Sequence, residues 1–493
     1  MTTPAAGLSP VGDAGTASDQ DSRSGARGGS LGAQIARRIE DEIVSVGWPV
    51  GRNLGSEQDL QERYGVSRAV LREALRLVEH HQVARMRRGP GGGLFVTAPD
   101  AAPATRAMVI YLDYVGTSVD DLMGARLLLE PPAAELAAER LTEDGVRRLR
   151  DLLEEEARRR EEPGIWSQDA LHLALGELSG NPVLRAFIDI LTRLTTRYAH
   201  TATHIPKTEA VRSKESAGRH HTAIVEAVIS GGTGRAGALI AEHLTATADW
   251  LRTHRNGDPD DRIAPQLIEA PDGKLGEMVA SRIHHEIAAG GWPIGEALGS
   301  EAELLARHGV SRAVLREAVR LLEYHGVARM RRGPGGGLLV TAPDPSASIE
   351  TMALYLDYQR AGVTNLLSVR EAIELGSLGP VIGRRDEPGV SARLRNAVKV
   401  IWPDDGRGAP QDPFHRELAL LAGNPVLVLF LRVLTELWTR HASTQTPPLP
   451  GAETAVEVER VHQGILEAIL AGDESLARYR MRRHLAILNE WWH

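Results

Sequence analysis

The sequence predicts a mainly α-helical chain built twice over. Each half is a short helical unit ending in a small β-hairpin, followed by an all-α antiparallel helical bundle. Three observations predict this. The stretch Trp48–Asp100 recurs at Trp292–Asp344 with about three-quarters of its positions identical, and the repeat unit is about half the chain, far longer than a solenoid repeat. Residues 104–251 and 348–493 read as helices separated by Gly, Pro and Asn breaks, with no convincing strand. Aromatic residues make up only 4% of the chain, so the cores are built from Leu, Val, Ile and Ala, which favours helices over sandwiches.

The bulk numbers narrow the function classes. With 493 residues the chain has room for roughly three or four domains. Its 42% hydrophobic and 25% charged residues are an ordinary globular balance. The net charge is −8, so any nucleic-acid contact comes from a local basic patch rather than from global charge. The absence of cysteine excludes disulfides, thiolate metal sites and thiol nucleophiles, and fits a cytosolic protein. No secretory leader and no bilayer-length apolar run are seen. A cytoplasmic, nucleoid-associated location without a membrane partner is expected.

Residues 1–29 are rich in Gly, Ala, Ser and Asp and read as a disordered tail. Residues 30–100 form the first short unit and 101–251 the first bundle. Residues 252–273, with Asn256-Gly257-Asp258-Pro259 and Ala270-Pro271-Asp272-Gly273, read as a linker. Residues 274–344 and 345–493 repeat the two-part plan.

Within the first short unit, Ile35, Ile39, Ile43 and Val46 mark an amphipathic helix that Gly47, Pro49 and Gly51 end. Ser56 with Asp59, and Ser300 with Glu303, are capping-box patterns opening a second helix that stops near Gly65. Ser67 and Ser311 cap a third. Two helices joined by a tight Gly-containing turn are a helix-turn-helix. On the third helix Leu71, Ala74, Leu75 and Val78 share one face, and Arg68, Arg72 and Arg76 another. The N-terminal end of such a helix reaches base edges, so Arg68, Arg72, Arg312 and Arg316 stand where a bidentate contact to guanine is made. Ala69 and Ala313 can pack on a thymine methyl. Two short strands then flank Gly89-Pro90-Gly91-Gly92-Gly93, a hairpin whose bare backbone approaches phosphates. Arg87 and Arg88, repeated as Arg331 and Arg332, supply charge, and Gly91 and Gly335 the bare tip. No Lys-Ser/Thr follows the glycines, which argues against a nucleotide-binding loop.

The run Leu54-Gly55-Ser56-Glu57-Gln58-Asp59-Leu60, then Gly65-Val66-Ser67-Arg68, then Leu71-Arg72-Glu73-Ala74-Leu75 and the hairpin wing, resembles the GntR family of bacterial transcriptional regulators in both copies. The resemblance implies a winged helix-turn-helix with Arg68, Arg72, Arg312 and Arg316 as base readers. Gln58 and Ala302 stand where the family often carries an Arg.

Each bundle carries three histidines at matching places. His221 and His243 lie on two helices flanking Gly231-Gly232, each about 15 Å from the turn, so an antiparallel pair brings them level. His172 lies on an earlier helix. His415, His462 and His484 repeat the set. Imidazole donors suit a divalent ion such as Zn or Ni. This half is similar to the FCD effector domain of the FadR-like branch, which implies a metal held by three His and one Asp beside a pocket for a small carboxylate. Gln168 and Gln411 occupy the usual Asp position, and Asp169 and Asp412, one residue later, are the candidate carboxylates. Arg126 and Arg370 read either as carboxylate anchors or as structural partners of Glu130 and Glu374 at i+4. Gly376-Ser377-Leu378-Gly379-Pro380 replaces an Ala-rich stretch of the first bundle, which predicts a degraded second bundle.

The expected function is sequence-specific DNA binding, as a repressor, modulated by a small carboxylate. The partner is double-stranded DNA with two similar half-sites, held by an intrachain pseudo-dimer, with further homodimerisation left open. The competing readings are a metal-dependent hydrolase-like enzyme using the three-His sites and a DNA-binding scaffold without a ligand.

Overall fold

In a computed structural model the residues described are 30–159, 169–201, 207–254, 275–331, 333, 336–400, 412–444 and 452–490. The expected tail and all but the first three residues of the expected linker lie outside them, as do Arg332 and Gly335 and the side chain of Asp169. The chain divides into two compact units, one ending at Thr97 and one beginning at Ala98.

The first unit contains α1 (Leu31–Ser45), α2 (Glu57–Tyr64), α3 (Arg68–His80), β1 (Ala84–Arg87) and β2 (Gly93–Val96). The local chemistry dictates each boundary. Ser56 accepts from the Asp59 amide while Asp59 accepts from the Ser56 amide, closing the expected capping box. Gly65, at φ 63°, takes the left-handed conformation that ends α2. Ser67 then caps α3 through the Val70 amide. Ile35, Ile39, Ile43, Leu60, Leu71, Val78, Leu94 and Val96 are buried. Beside them Glu40 and His81 form a buried pair at 2.6 Å. The strands pair antiparallel from Ala84 opposite Val96 to Arg87 opposite Gly93. A Cβ at Gly93 would lie 2.3 Å from Asn53 Oδ1, so only glycine fits there.

The second unit opens with a bundle of α4 (Ala101–Tyr114), α5 (Val119–Glu139), α6 (Glu143–Arg158), α7 (Asp169–Leu178), α8 (Pro182–Thr201), α9 (Lys207–Ile229) and α10 (Thr233–His254). The second winged unit follows as α11 (Leu275–Ala289), α12 (Glu301–His308), α13 (Arg312–Tyr324), β3 (Ala328–Arg331) and β4 (Gly337–Val340). The second bundle is α14 (Ser346–Tyr358), α15 (Val363–Gly383), α16 (Pro388–Ala397), α17 (Pro413–Ala422), α18 (Pro425–Thr444), α19 (Ala452–Leu470) and α20 (Glu474–Glu490). The architecture is mainly helical with two small hairpins, as the periodicities predict.

The two bundles share one apolar core, which runs from Leu129 and Phe187 to Ile373 and Phe430. Phe187 stacks on Phe430 with centroids 3.9 Å apart. Asn181 donates to the Asn365 carbonyl at 3.1 Å, and its counterpart Asn424 donates to the Asp121 carbonyl at 2.8 Å. Asp121 and Asn365 are themselves counterparts, so the contact is isologous: the same patch of each bundle meets the other. The Gly-Asn-Pro break of each bundle therefore has two duties. Each Asn also caps the following helix, accepting from Val183 and Leu184 or from Val426 and Leu427.

Helix α15 runs unbroken through the Gly376–Pro380 stretch. Gly376 serves a close approach, since a Cβ there would lie 2.4 Å from Leu128 Cδ1 of the first bundle. The first bundle also reaches the second winged unit. Ile110 of α4 joins that unit's core, and Tyr114 packs edge-on to Trp292.

Candidate DNA interface and histidine centres

Helix α3 presents Arg68, Ala69, Arg72 and Arg76 outward, because Leu71, Ala74, Leu75 and Val78 bury the opposite face. Arg68 and Arg72 side chains are 65% and 52% exposed, open to a ligand as large as a duplex. Both converge on one carboxylate. Glu57, in the first turn of α2, accepts from Arg68 Nε at 3.0 Å and from Arg72 Nε at 2.8 Å. These bonds hold the Glu57 carboxyl below its ordinary range. In the second copy Glu301 faces Arg312 at 3.3 Å and Arg316 at 3.9 Å, a looser version of the same clamp. Sequence reasoning missed Glu57 and Glu301, although an acidic residue next to the cap of the preceding helix was the available signal. Arg87 and Arg88 are exposed at the wing, with the Arg87 guanidinium 4.4 Å from the Phe95 ring centroid. Gly91, at φ 74°, turns the wing tip, and Arg331 is exposed at the matching strand end. Ser311, Arg312, Ala313 and Arg316 are exposed on α13 as their counterparts are on α3.

The six histidines come together as two triads. In the first bundle His172, His221 and His243 place one ring nitrogen each within 4.8 Å of the others, with His221 Nε2 3.4 Å from His243 Nε2. In the second, His415 Nε2 is 3.1 Å and His462 Nε2 is 3.2 Å from His484 Nε2. Asp412 joins them, with Oδ2 3.3 Å from His415 Nε2 and 3.5 Å from His462 Nε2. Its other oxygen caps α17 through the Phe414 amide, which fixes the carboxylate's direction.

Four of the six outer ring nitrogens meet an acceptor, whereas His243 Nδ1 is buried without a hydrogen-bond partner among the described residues. His172 Nδ1 meets Glu130 at 2.5 Å and His221 Nδ1 meets Glu156 at 2.7 Å. His415 Nδ1 meets Glu374, and His462 Nδ1 faces the Val398 carbonyl at 3.4 Å. Burial alone would raise Glu130 and Glu374, but Arg126 with His172, and His415 with Arg370, hold each down to about 2. These carboxylates therefore accept and Nδ1 donates, leaving Nε2 lone pairs turned inward. Burial pushes His243 and His484 well below the ordinary histidine value. Burial also opposes a charged His415, yet Glu374 and Asp412 push it up to about 9. A cluster of acceptors needs a cation, either a proton or a metal. Donors about 2.0–2.1 Å from a tetrahedral Zn lie roughly 3.3–3.4 Å apart, and the individual separations given above, from 3.1 to 3.5 Å, lie close to that. Both donor sets fit a divalent ion.

The two arginines differ. Arg126 is 2% exposed. Its Nε donates to Glu130 at 2.5 Å and its Nη1 to Thr195 Oγ1 at 2.9 Å, but its Nη2 is buried without a hydrogen-bond partner among the described residues. Arg370 donates from Nε to Glu374 at 2.5 Å, and its guanidinium carbon lies 5.5 Å from the Trp438 ring centroid. Both arginines thus make the i+4 pair. No helix among the described residues is long and apolar enough to cross a membrane.

Comparison with known proteins agrees with these features. The family described as bacterial regulatory proteins, gntR family, matches residues 31–96 and 275–337, and the FCD domain matches 121–246 and 365–487. The chain is similar to the HTH-type transcriptional regulator YcbG of Bacillus subtilis (strain 168), 30% identical over 218 residues, 44% of this chain and 89% of that protein. It is also similar to the HTH-type transcriptional regulator LutR of the same organism, 30% identical over 205 residues, 41% of this chain and 92% of LutR. Among solved structures a Streptococcus agalactiae GntR protein is 21% identical over 44% of this chain and 99% of that one, with a TM-score of 0.33. These relatives are named as transcriptional regulators, and the chain, matched twice by both domain families, belongs to the GntR family of bacterial regulatory proteins that carry an FCD domain.

Proposed function

We propose that this DNA-binding regulator is a repressor that holds a two-fold operator through its duplicated winged helices and releases it when a small carboxylate binds beside a divalent ion, Zn or Ni. Arg68, Arg72, Arg312 and Arg316 read base edges, Ala69 and Ala313 contact thymine methyls, and the wing arginines with Gly91 and Gly335 track phosphates. The ion is held by His172, His221 and His243 in one bundle, with Asp169 as its candidate carboxylate, and by Asp412, His415, His462 and His484 in the other. When bound it supplies a fixed positive centre that attracts a carboxylate oxygen. Arg126 donates to the same carboxylate, and Glu130 and Glu374 orient the histidines. The work is done in the cytoplasm, at the nucleoid.

The observation that carries the sensing half is Arg126: a buried guanidinium with one nitrogen unpartnered among the described residues, linked through Glu130 to a metal-competent triad. A buried charged donor left unpaired is costly, and an oxygen anion that accepts from Nη2 satisfies it with a charge-assisted hydrogen bond. The test is selection of bound DNA from a random pool, with and without EDTA and with added carboxylates. Enrichment of two similar half-sites, weakened by a carboxylate, is expected. Absence of any preferred sequence over bulk competitor at moderate salt would overturn the reading.

A further inference from the structure

The two bundles are not equivalent where a ligand would bind. Thr195 on α8 and Trp438 on α18 are counterparts, each fourteen residues after its interface asparagine. In the first bundle the small Thr195 takes one donor of Arg126 and leaves Nη2 buried and unpartnered among the described residues. In the second, an indole stands in the threonine's place, faces the Arg370 guanidinium at 5.5 Å and packs against the apolar clusters around it. A cation against an aromatic face is already compensated, and the indole occupies volume that an anion would need. A second difference runs the same way. His220, next to the ligand His221, brings a polar ring 5.6 Å from His243. Its counterpart next to His462 is Val461, packed on the second bundle's apolar cluster.

We propose that the chain binds one small carboxylate, in the first bundle at Arg126, and that Trp438 closes the matching place in the second. This rests on the carboxylate-sensing function proposed above and assigns it to one half of the molecule. The first bundle also carries Ile110, which is part of the core of the second winged unit. The sensing half is thereby in direct contact with a DNA reader that lies beyond it in sequence.

The test is isothermal titration of the full-length, Zn-loaded protein with acetate, L-lactate, succinate and citrate in turn. The expected result is one ligand per chain for whichever probe binds. Thr195→Trp, which copies the second bundle into the first, is expected to weaken that binding at least tenfold with helix content unchanged. Trp438→Thr, which copies the first bundle into the second, is expected to raise the stoichiometry to two. Two ligands per chain in the unaltered protein overturn the asymmetry and leave carboxylate sensing standing. A Trp438→Thr chain that still binds one overturns Trp438 as the closing group, and this arm decides the matter even if Thr195→Trp does not fold. No binding by any probe overturns both this proposal and the sensing function on which it rests.

Discussion

At the scale of the residue, the DNA-reading surface is a balance between two arginines and one carboxylate. Arg68 and Arg72 were legible because helical spacing puts them on one face and places them at the helix start. Glu57 was not legible, because its partnership depends on the turn at Gly65, which folds the start of α2 against α3. If Arg72 reads a base, Arg72→Ala costs about 1–3 kcal/mol of discrimination at that position, measured by competition binding against single-base operator variants. A uniform loss across all sequences would mean that Arg72 contacts phosphate only. Glu57→Gln has the opposite character. It removes a negative charge from the surface that phosphates approach, so affinity for random DNA rises. It also frees two guanidinium groups from a fixed geometry, so the ratio of specific to random binding falls. An unchanged ratio would show that the clamp does not position the readers.

At the scale of the element, the sequence carried the helices and their caps well, because Ser-x-x-Asp, Ser-x-x-Glu and the left-handed glycines act locally. It also carried the histidines, because an antiparallel helix pair around a turn brings equal offsets level. Functions that depend on a second layer were hidden. Glu130 and Glu374 read as i+4 partners of arginine, and the fold shows each also meeting a histidine more than forty residues away. The Gly376–Pro380 stretch read as degradation, but packing against Leu128 explains its first glycine and the helix continues. Two predictions belong here. Inward-facing Nε2 lone pairs predict that chelation lowers the thermal midpoint and that added Zn restores it. An ion at one hundred times its Kd contributes about 2.7 kcal/mol. Differential scanning calorimetry reads this, and a midpoint indifferent to EDTA would remove the metal from the account. Asn424→Ala deletes a helix cap, typically ~1 kcal/mol, and a cross-bundle hydrogen bond of about 0.5–1.5 kcal/mol. A loss on the order of 2 kcal/mol in urea denaturation is therefore expected, and a neutral effect would show that neither bond matters.

At the scale of the whole molecule, the two bundles of one chain meet through matching patches. Asn181 and Asn424, Asp121 and Asn365, and Phe187 and Phe430 exchange roles across it, so the bundles are paired in each chain as synthesised. Two readers carried by one chain raise each other's effective concentration on DNA, and one chain per operator is expected by native mass spectrometry of the complex. The covalent tandem also allows an experiment that a homodimer forbids, because either reader can be altered alone. The α3 and α13 surfaces share Ser-Arg-Ala-Val-Leu-Arg-Glu-Ala, so the unaltered chain is expected to select two near-identical half-sites; Gln58 and Ala302 are among the exposed positions at which the copies differ. If each reader takes one half-site, Arg68→Ala relaxes the selected sequence in one half only, and Arg312→Ala does the same with the same half-site motif retained once. The double variant loses preference altogether. Selection from a random pool on the three variants distinguishes this from its alternative: if Arg312→Ala leaves both half-sites intact, only the first winged unit reads DNA, and two chains are then needed to cover a two-fold site.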